Sequence, residues 1–585
     1  LTLSVFTTRT VSDLTVKLRN RLTTGEVAIT APDLNVDGMP GREVFDASDI
    51  TAIHTFLHRA SIVSDGSTVV TFGPNSLVSS DISGSPDWAE DVFAENVRTG
   101  DRLQVPTDLM PADGSVMDLD VTGLNPAPGD EIILLVKKQL LGETSRPYLW
   151  NSAIGKIVFG AVDTPSYQDA AGFIPPVKTG AAFVPEQTGT NRVIFVLLVP
   201  DGPTPAGGWP LAHYAHGGGG SFMDGGTVNC APVMAIHGLA SLAFNAPGHG
   251  GGPRTTIELT TTNGTAVIPG SGRARDYDGN GKFEDQTTYR HRIIQRISDF
   301  YTLVRSVQLG VSFEGDSDTE ITTDPAKTSL FGISFGGRST TVMAATEPNI
   351  SVFAANVPGV GGSPVNFGYH PVMAWRSAYD AWLAARIPAL LNGASPDWGG
   401  LFNEDIPTRG RPVQAGMVAG AESLQRALDF KLWKEQEQAT ASYGRHVASG
   451  DLRGSPAAYF AQIVRGDSMA VNPMQWLMIE SGGLKPQSGI IRCDNEPAFD
   501  AKYRPYIPGG VTRHLLLGLP FNGFPSIDVG GYISHLARVQ IRDFILANGA
   551  EVSDPDGSGE IFAGDVFQTP IPDAVYELMS HDAGF

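Results

Sequence analysis

The stretch that most constrains this chain is Ser329-Leu330-Phe331-Gly332-Ile333-Ser334-Phe335-Gly336-Gly337. The apolar run from Thr328 to Phe331 reads as a short buried strand. Gly332-Ile333-Ser334-Phe335-Gly336 then fits a G-x-S-x-G pattern, and Arg338 to Ala345 can run on as a helix. A serine on a sharp strand-to-helix turn has its hydroxyl held exposed, and the glycines let neighbouring backbone approach without a Cβ in the way. A chain with 68 glycines can match five residues by chance, so the surroundings must carry the reading.

Those surroundings alternate strands and helices. Arg192 to Pro200 reads as a strand, and Trp209 to Ala215 as a second one that runs into His216-Gly217-Gly218-Gly219-Gly220. Glycines after a buried strand free backbone N–H groups to face a developing negative charge. Ala231 to Leu239 reads as a helix and Ala240 to Asn245 as a strand, followed by the turn Ala246-Pro247-Gly248-His249-Gly250. His249 lies in a turn ahead of Ser334, which suits a structural or pocket-lining role. Ile293, Ile294, Ile297, Phe300, Tyr301, Val304 and Val307 give residues 288–309 helical apolar spacing. Ile350 to Gly359 is a further strand with a Gly-rich turn. Strand, helix, strand with Gly/Pro turns predicts a doubly wound, mostly parallel α/β sheet.

At 585 residues the chain calls for two or three domains. Residues 1–160 alternate short β-like runs, such as Leu14 to Leu18, Thr68 to Phe72 and Glu131 to Val136, and predict an all-β, sandwich-like domain for packing or surface attachment. His54 and His58, four apart on an expected helix without a third ligand, read as ordinary polar positions. Residues 165–363 form the first part of the sheet domain. Residues 364–506 predict a mainly helical cap over the C-terminal strand ends, rich in Trp375, Trp382, Trp398, Trp433, Tyr459, Phe460 and Trp476. Residues 507–585 resume the core: a strand from Thr512 to Leu519, a loop to Asp528, a helix from Tyr532 to Leu546, and a last strand from Ala574 to Met579 ahead of Ser580-His581.

Composition excludes some partners. Hydrophobic residues make up 41%, yet no segment approaches 18 uninterrupted apolar residues, so no transmembrane helix is expected. A net charge of −21 argues against nucleic acid or an anionic membrane as the main partner. The chain begins at Leu1 without a charged-then-apolar leader and reads as processed or trimmed, while the acidic loops described next favour an exported protein, secreted or at the cell surface. Cys230 and Cys493 either pair or sit as two buried thiols.

Two acidic loops resemble calcium-wrapping sequences. Asp276, Asp278 and Asn280 supply oxygens at loop positions 1, 3 and 5, with Gly281 at 6 and a backbone carbonyl at Lys282. Position 12 is Thr287, so Glu284 or Asp285 must complete the set. Asp554, Asp556, Ser558, Glu560 and Asp565 make the fuller match, while Asp33 to Gly38 is a weaker echo without a position-12 acid.

A serine hydroxyl needs a base within hydrogen-bond reach, and that base needs an acid to fix its tautomer. Five histidines follow Ser334: His370 and His446 fall in the expected cap, His514 opens an expected strand, His535 lies in a helix, and His581 follows the last strand in a loop. His581 is therefore the expected base. Asp528, in the loop after the preceding core strand, is the expected acid, with Asp494, Asp565 and Asp573 as alternatives. The oxyanion donors are expected to be the backbone N–H groups of Phe335 and of one residue from Gly217 to Gly219, with Gly218 preferred.

Taken together, His216-Gly217-Gly218, Asn245 to Gly250, the acidic loop before residue 288, Gly332 to Gly337, Val357-Pro358-Gly359 and Ser580-His581 resemble the bacterial extracellular lipases and esterases of the α/β-hydrolase superfamily. Within that group the layout is similar to the virulence-factor-type lipases, which carry an N-terminal β domain. The likeness covers about 165–363 and 507–585, and the loop from Pro520 to Ile527 departs from the family's Gly-x-x-Asp spacing. It implies carboxylic ester hydrolysis through Ser334, Asp528 and His581, and the aromatic residues of the expected cap favour an apolar acyl ester, either a small molecule, a lipid or a polymer. A serine peptidase or amidase on the same scaffold, and a calcium-dependent adhesion protein with an inactive hydrolase domain, are the competing readings. Calcium, lying away in sequence from the triad, is expected to be structural. Chelation should therefore lower the melting temperature before it abolishes activity at low temperature. Unchanged melting in excess chelator would contradict both loops.

Overall fold

The computed structural model describes residues 12–32, 44–72, 91–105, 117–142, 146–170, 172–175, 184–252, 254–270, 273, 289–310, 321–359, 436–467, 470, 472–492, 514, 516–519, 521, 529–556 and 566–579. The described strands begin with β1 (Val44–Asp46), β2 (Ile50–Val63), β3 (Val69–Phe72), β4 (Asp91–Asn96), β5 (Arg102–Val105), β6 (Met117–Asp120) and β7 (Glu131–Leu141). Then come β8 (Ile154–Ser166), β9 (Gly189–Pro200), β10 (Trp209–Ala215), β11 (Ala240–Phe244), β12 (Thr256–Thr261) and β13 (Gly264–Pro269). The last are β14 (Thr323–Ile333), β15 (Val352–Asn356), β16 (Ala458–Val464), β17 (Ser488–Ile491) and β18 (Phe567–Gln568).

Ten of these form one sheet in the order β1-β8-β9-β11-β10-β14-β15-β16-β17-β18. The six strands from β11 to β17 run parallel, and the pairs outside them are antiparallel. A parallel strand buried on both faces reads as a continuous apolar run, and every residue of β11 and β15 is buried. Alternate side chains feed two cores. Ala212, Tyr214 and Phe331 pack with the helices Gly225–Ala235 and Val529–Leu546, whereas Leu211, Ala215 and Leu330 pack with Tyr289–Gln308 and Phe335–Thr346. The fold is mixed α/β, with a large, mostly parallel sheet covered on both sides.

Several expectations change. Leu14 to Leu18 is part of a helix, Asp13–Thr23, with Leu14, Leu18 and Leu22 buried at a spacing of four, a helical stripe that outweighs the local β-branched residues. The N-terminal region is not a separate all-β unit ending at residue 160. β1 and β8 belong to the ten-stranded sheet, while β12 and β13 extend the second sheet, β13-β12-β2-β7-β4-β5. His54 and His58 lie on β2 rather than a helix, and His58 Nε2 meets Ser61 Oγ at 2.8 Å.

The larger correction concerns residues 364–506. Their described part, 436–467, 470 and 472–492, belongs to the core: β16 pairs in parallel with β15, and β17 with β16. Tyr459 and Phe460 are sheet residues buried in the core. A short apolar run alone does not separate a buried strand from a buried helix, so β16 was legible as either. Trp375, Trp382, Trp398 and Trp433 lie outside the described residues. Near the C-terminus, Asp573–Met579 is a helix rather than a strand, and Leu516–Gly518 is a 3-10 turn. The strand that closes the sheet is β18.

Buried polar ties join the layers. Asp299 accepts from Thr164 Oγ1 at 2.7 Å, Gln295 Nε2 at 2.9 Å and Arg273 Nη2 at 2.7 Å. Arg305 and Glu347 form a buried ion pair at 2.6 Å. Among the described residues no helix is long and apolar enough to cross a membrane. Phe353, fully buried at the centre of the sheet, should cost about 3–5 kcal/mol when truncated to alanine. A lower denaturant midpoint at unchanged slope checks this, and an unchanged midpoint contradicts the placement of β15.

Candidate active site

β14 delivers Ser334 to the start of the helix Phe335–Thr346 with φ 54° and ψ −115°. That backbone is strained for a residue with a side chain and costs about 1–3 kcal/mol, so its surroundings must hold it. Ser334 N donates to Asn356 O on the neighbouring strand at 2.9 Å, and Arg338 N donates to Ser334 O at 2.9 Å. The glycines serve space rather than φ. A Cβ on Gly336 would lie 1.8 Å from Ala215 O, one on Gly332 2.7 Å from Gly336 C, and one on Gly337 2.7 Å from Asn356 O.

Two side chains complete a relay on this serine. Ser334 Oγ donates to His514 Nε2 at 2.6 Å. His514 Nδ1 donates to Asp467, at 2.8 Å from Oδ2 and 3.0 Å from Oδ1. Asp467 is fully buried and His514 nearly so. An acid on Nδ1 fixes the tautomer that leaves Nε2 free to accept a proton from the serine. Asp467 sits just beyond β16, and its Oδ1 also accepts from Ala470 N at 2.9 Å. Asn472 braces that turn, accepting from Gly466 N and donating to Val464 O, each at 3.1 Å. Ser334 and Asp467 thus leave the C-terminal ends of β14 and β16, where open α/β sheets bind ligands.

The side chains joined to Ser334 are His514 and Asp467; His581 and Asp528, the expected base and acid, both lie outside the described residues. The sequence reading passed over these two residues because the run around His514 reads as a strand and Asp467 falls inside the expected cap. A signal was present: Ala458 to Val464 is an apolar run that ends in Arg465-Gly466-Asp467, the same strand-then-acid rule that had selected Asp528.

The Gly-rich loop lies against the serine as expected. A Cβ on Gly217 would sit 3.6 Å from Ser334 Cβ, and one on Gly218 4.0 Å from Phe335 Cβ. His216 holds the loop, with Nδ1–H donating to Gly217 O at 2.7 Å and Nε2 accepting from Ala246 N at 3.0 Å. Burial, then the nearby Arg296 charge, pushes the His216 ring well below the usual histidine range and keeps it neutral. His249 stacks on Phe335 with ring centroids 5.1 Å apart. Burial followed by Arg296 lowers its pKa too.

Neither calcium-type loop can be followed far. Asp276, Asp278, Asn280, Lys282, Glu284 and Asp285 lie outside the described residues, as do Ser558, Glu560 and Asp565. Asp554 and Asp556 are described, and Asp556 Oδ2 accepts from Val566 N at 2.9 Å, across the foot of the second loop. Among the described residues no group of three or more His, Cys, Asp or Glu side chains is arranged to hold a metal ion. Cys230 is a free buried thiol, its pKa pushed up to about 12 by burial, while Cys493 lies outside the described residues.

No known sequence family and no curated protein matches this chain. Among solved structures it is similar to 2,6-dihydroxy-pseudo-oxynicotine hydrolase, with TM-score 0.32, 10% identity, and 61% of this chain and 65% of that one covered. It is similar to an acetyl xylan esterase from a Paenibacillus species, with TM-score 0.31, 13% identity and coverages of 60% and 83%. A puromycin-hydrolyzing peptidase of Mycobacterium tuberculosis gives TM-score 0.33, 12% identity and coverages of 68% and 48%. The chain spans less than two thirds of the first and third of these chains.

The packing of the turn makes one direct prediction. Gly336→Ala places a methyl where Ala215 O stands, and should destabilise the fold by about 1–3 kcal/mol or more. A melting temperature equal to that of the parent contradicts the close approach.

Proposed function

We propose that this chain is a serine hydrolase of the α/β-hydrolase type that cleaves carboxylic esters through an acyl-enzyme on Ser334. The observation that supports it most is the unbroken chain Ser334 Oγ, His514 Nε2, His514 Nδ1, Asp467 on a strained strand-to-helix turn. In this reading Ser334 Oγ attacks the substrate carbonyl carbon while its proton passes to His514 Nε2. Asp467 stabilises the imidazolium that forms, as a buried carboxylate on Nδ1 does in such triads. The tetrahedral oxyanion is met by the N–H of Phe335 and by one from the loop, Gly218 or its neighbour Gly217. His514 then gives its proton to the leaving alkoxide, freeing an alcohol. Water attacks the acyl-enzyme, losing its proton to His514, and the acid departs as Ser334 regains its hydrogen.

The preference for apolar acyl esters rests on the sequence alone, namely Trp375, Trp382, Trp398 and Trp433 and the resemblance to extracellular esterases. Export and structural calcium rest likewise on the acidic composition and the two loops. The same triad serves amides, so a peptidase is the outcome that an ester and anilide panel would reveal.

A fluorophosphonate probe is expected to label the intact chain at Ser334 and to leave Ser334→Ala unlabelled. His514→Ala should lower kcat by about 10⁴-fold or more and Asp467→Asn by about 10⁴-fold, whereas His581→Ala should retain activity. Labelling that survives Ser334→Ala contradicts the nucleophile. Loss of activity in His581→Ala, with His514→Ala still active, contradicts the triad.

A further inference from the structure

Beneath the Gly-rich loop lies a charge that the mechanism above does not use. Arg296, on the helix Tyr289–Gln308, is 1% exposed. Its Nη2 donates to His216 O at 3.0 Å, and its guanidinium carbon lies 4.1 Å from the centre of the Phe335 ring. Burying a cation is costly unless its surroundings compensate it, and two of the groups it touches here are not arbitrary. His216 O belongs to the peptide unit whose other end is Gly217 N–H. Phe335 carries the other expected oxyanion donor.

We propose that Arg296 is a positioning residue that sets the oxyanion hole by holding both of its halves at once; the inference rests on the serine-hydrolase reading of Ser334. In a planar trans peptide the carbonyl and the following N–H point in opposite directions. A hydrogen bond that fixes His216 O therefore fixes the direction of Gly217 N–H, away from the guanidinium. The next unit is held in the same manner, because His216 Nδ1–H donates to Gly217 O, which orients Gly218 N–H. A cation on the carbonyl also polarises its peptide unit, so the chain of bonds from Arg296 through His216 strengthens the donors. On the other side, cation–π attraction seats Phe335, the first residue of the helix behind the nucleophile, with its Cβ beside Gly218. Arg296 touches no substrate atom in this scheme. It keeps two donors from different parts of the chain at the distance one oxyanion requires.

The test compares the parent, Arg296→Met and Arg296→Lys in the full chain, on a p-nitrophenyl ester, with active sites counted by fluorophosphonate titration. Phenylboronic acid, which forms a tetrahedral adduct on a serine, serves as the transition-state probe. Arg296→Met is expected to lose about 10²-fold in kcat/KM per titrated site, the size of one lost oxyanion donor, with KM little changed. The inhibition constant of the boronic acid should weaken in proportion. Arg296→Lys, which keeps the charge without the fork, should fall between Met and the parent. If Arg296→Met does not fold, Arg296→Lys carries the same comparison. A kcat/KM per titrated site equal to the parent's, or a fall that leaves boronate affinity unchanged, overturns the proposal. A parent that neither labels nor hydrolyses overturns the serine-hydrolase reading instead.

Discussion

The structure turns on the contact between the backbone at Gly336 and the carbonyl of Ala215, a distance at which no side chain fits. That contact presses the turn after β14 against the end of β10. Ser334 can stay at positive φ because Asn356 O and Arg338 N hold its backbone from either side. Strain of this kind persists only where the surroundings over-determine it, and here two neighbouring strands and a helix do so. The same contact brings the Gly-rich loop that leaves β10 to within reach of Ser334. The position of Ser334 and that of the Gly-rich loop are thus consequences of one close approach.

The parallel sheet supplies the rest. Strands β14 and β16 flank β15, and their C-terminal ends place Ser334 and Asp467 on either side of Asn356, with His514 bridging between them. A buried chain of amides stiffens this edge. Asn356 Nδ2 donates to Gln462 Oε1, and Gln462 Nε2 to Gln540 Oε1, each at 2.8 Å. Gln540 in turn donates to Ser553 O at 2.9 Å. The strand that holds the serine's backbone is therefore tied to the helix Val529–Leu546 and the segment after it. Buried hydrogen bonds of this kind favour one arrangement because breaking any of them leaves a buried amide unpaired.

Much of this was legible in the chain, and the parts that were not share a cause. The turn at Ser334, the strand ending in His216, β9, β11, β15 and the helices on either side were readable because Gly and Pro punctuate apolar runs there. The N-terminal boundary was not, since β1 pairs with β8, and β12 with β2, between segments far apart in sequence, and no local pattern records such pairing. Leu14, Leu18 and Leu22 did carry their helical spacing, but Val16 and the short run around it read as β. β16 lay in a region rich in large apolar residues, where periodicity cannot tell strand from helix. Misplacing β16 removed Asp467 from consideration, and reading residues 512–519 as a strand removed His514. Together these two readings passed over both side chains that the structure joins to Ser334.

The central claim is that His514 links Ser334 to Asp467. Low-field proton NMR of the full chain observes that link directly, since an imidazole N–H held by a buried carboxylate is strongly deshielded. The account predicts such a resonance in the parent, its loss in both His514→Gln and Asp467→Leu, and its retention in His581→Gln. A low-field resonance that survives His514→Gln and disappears in His581→Gln would contradict it.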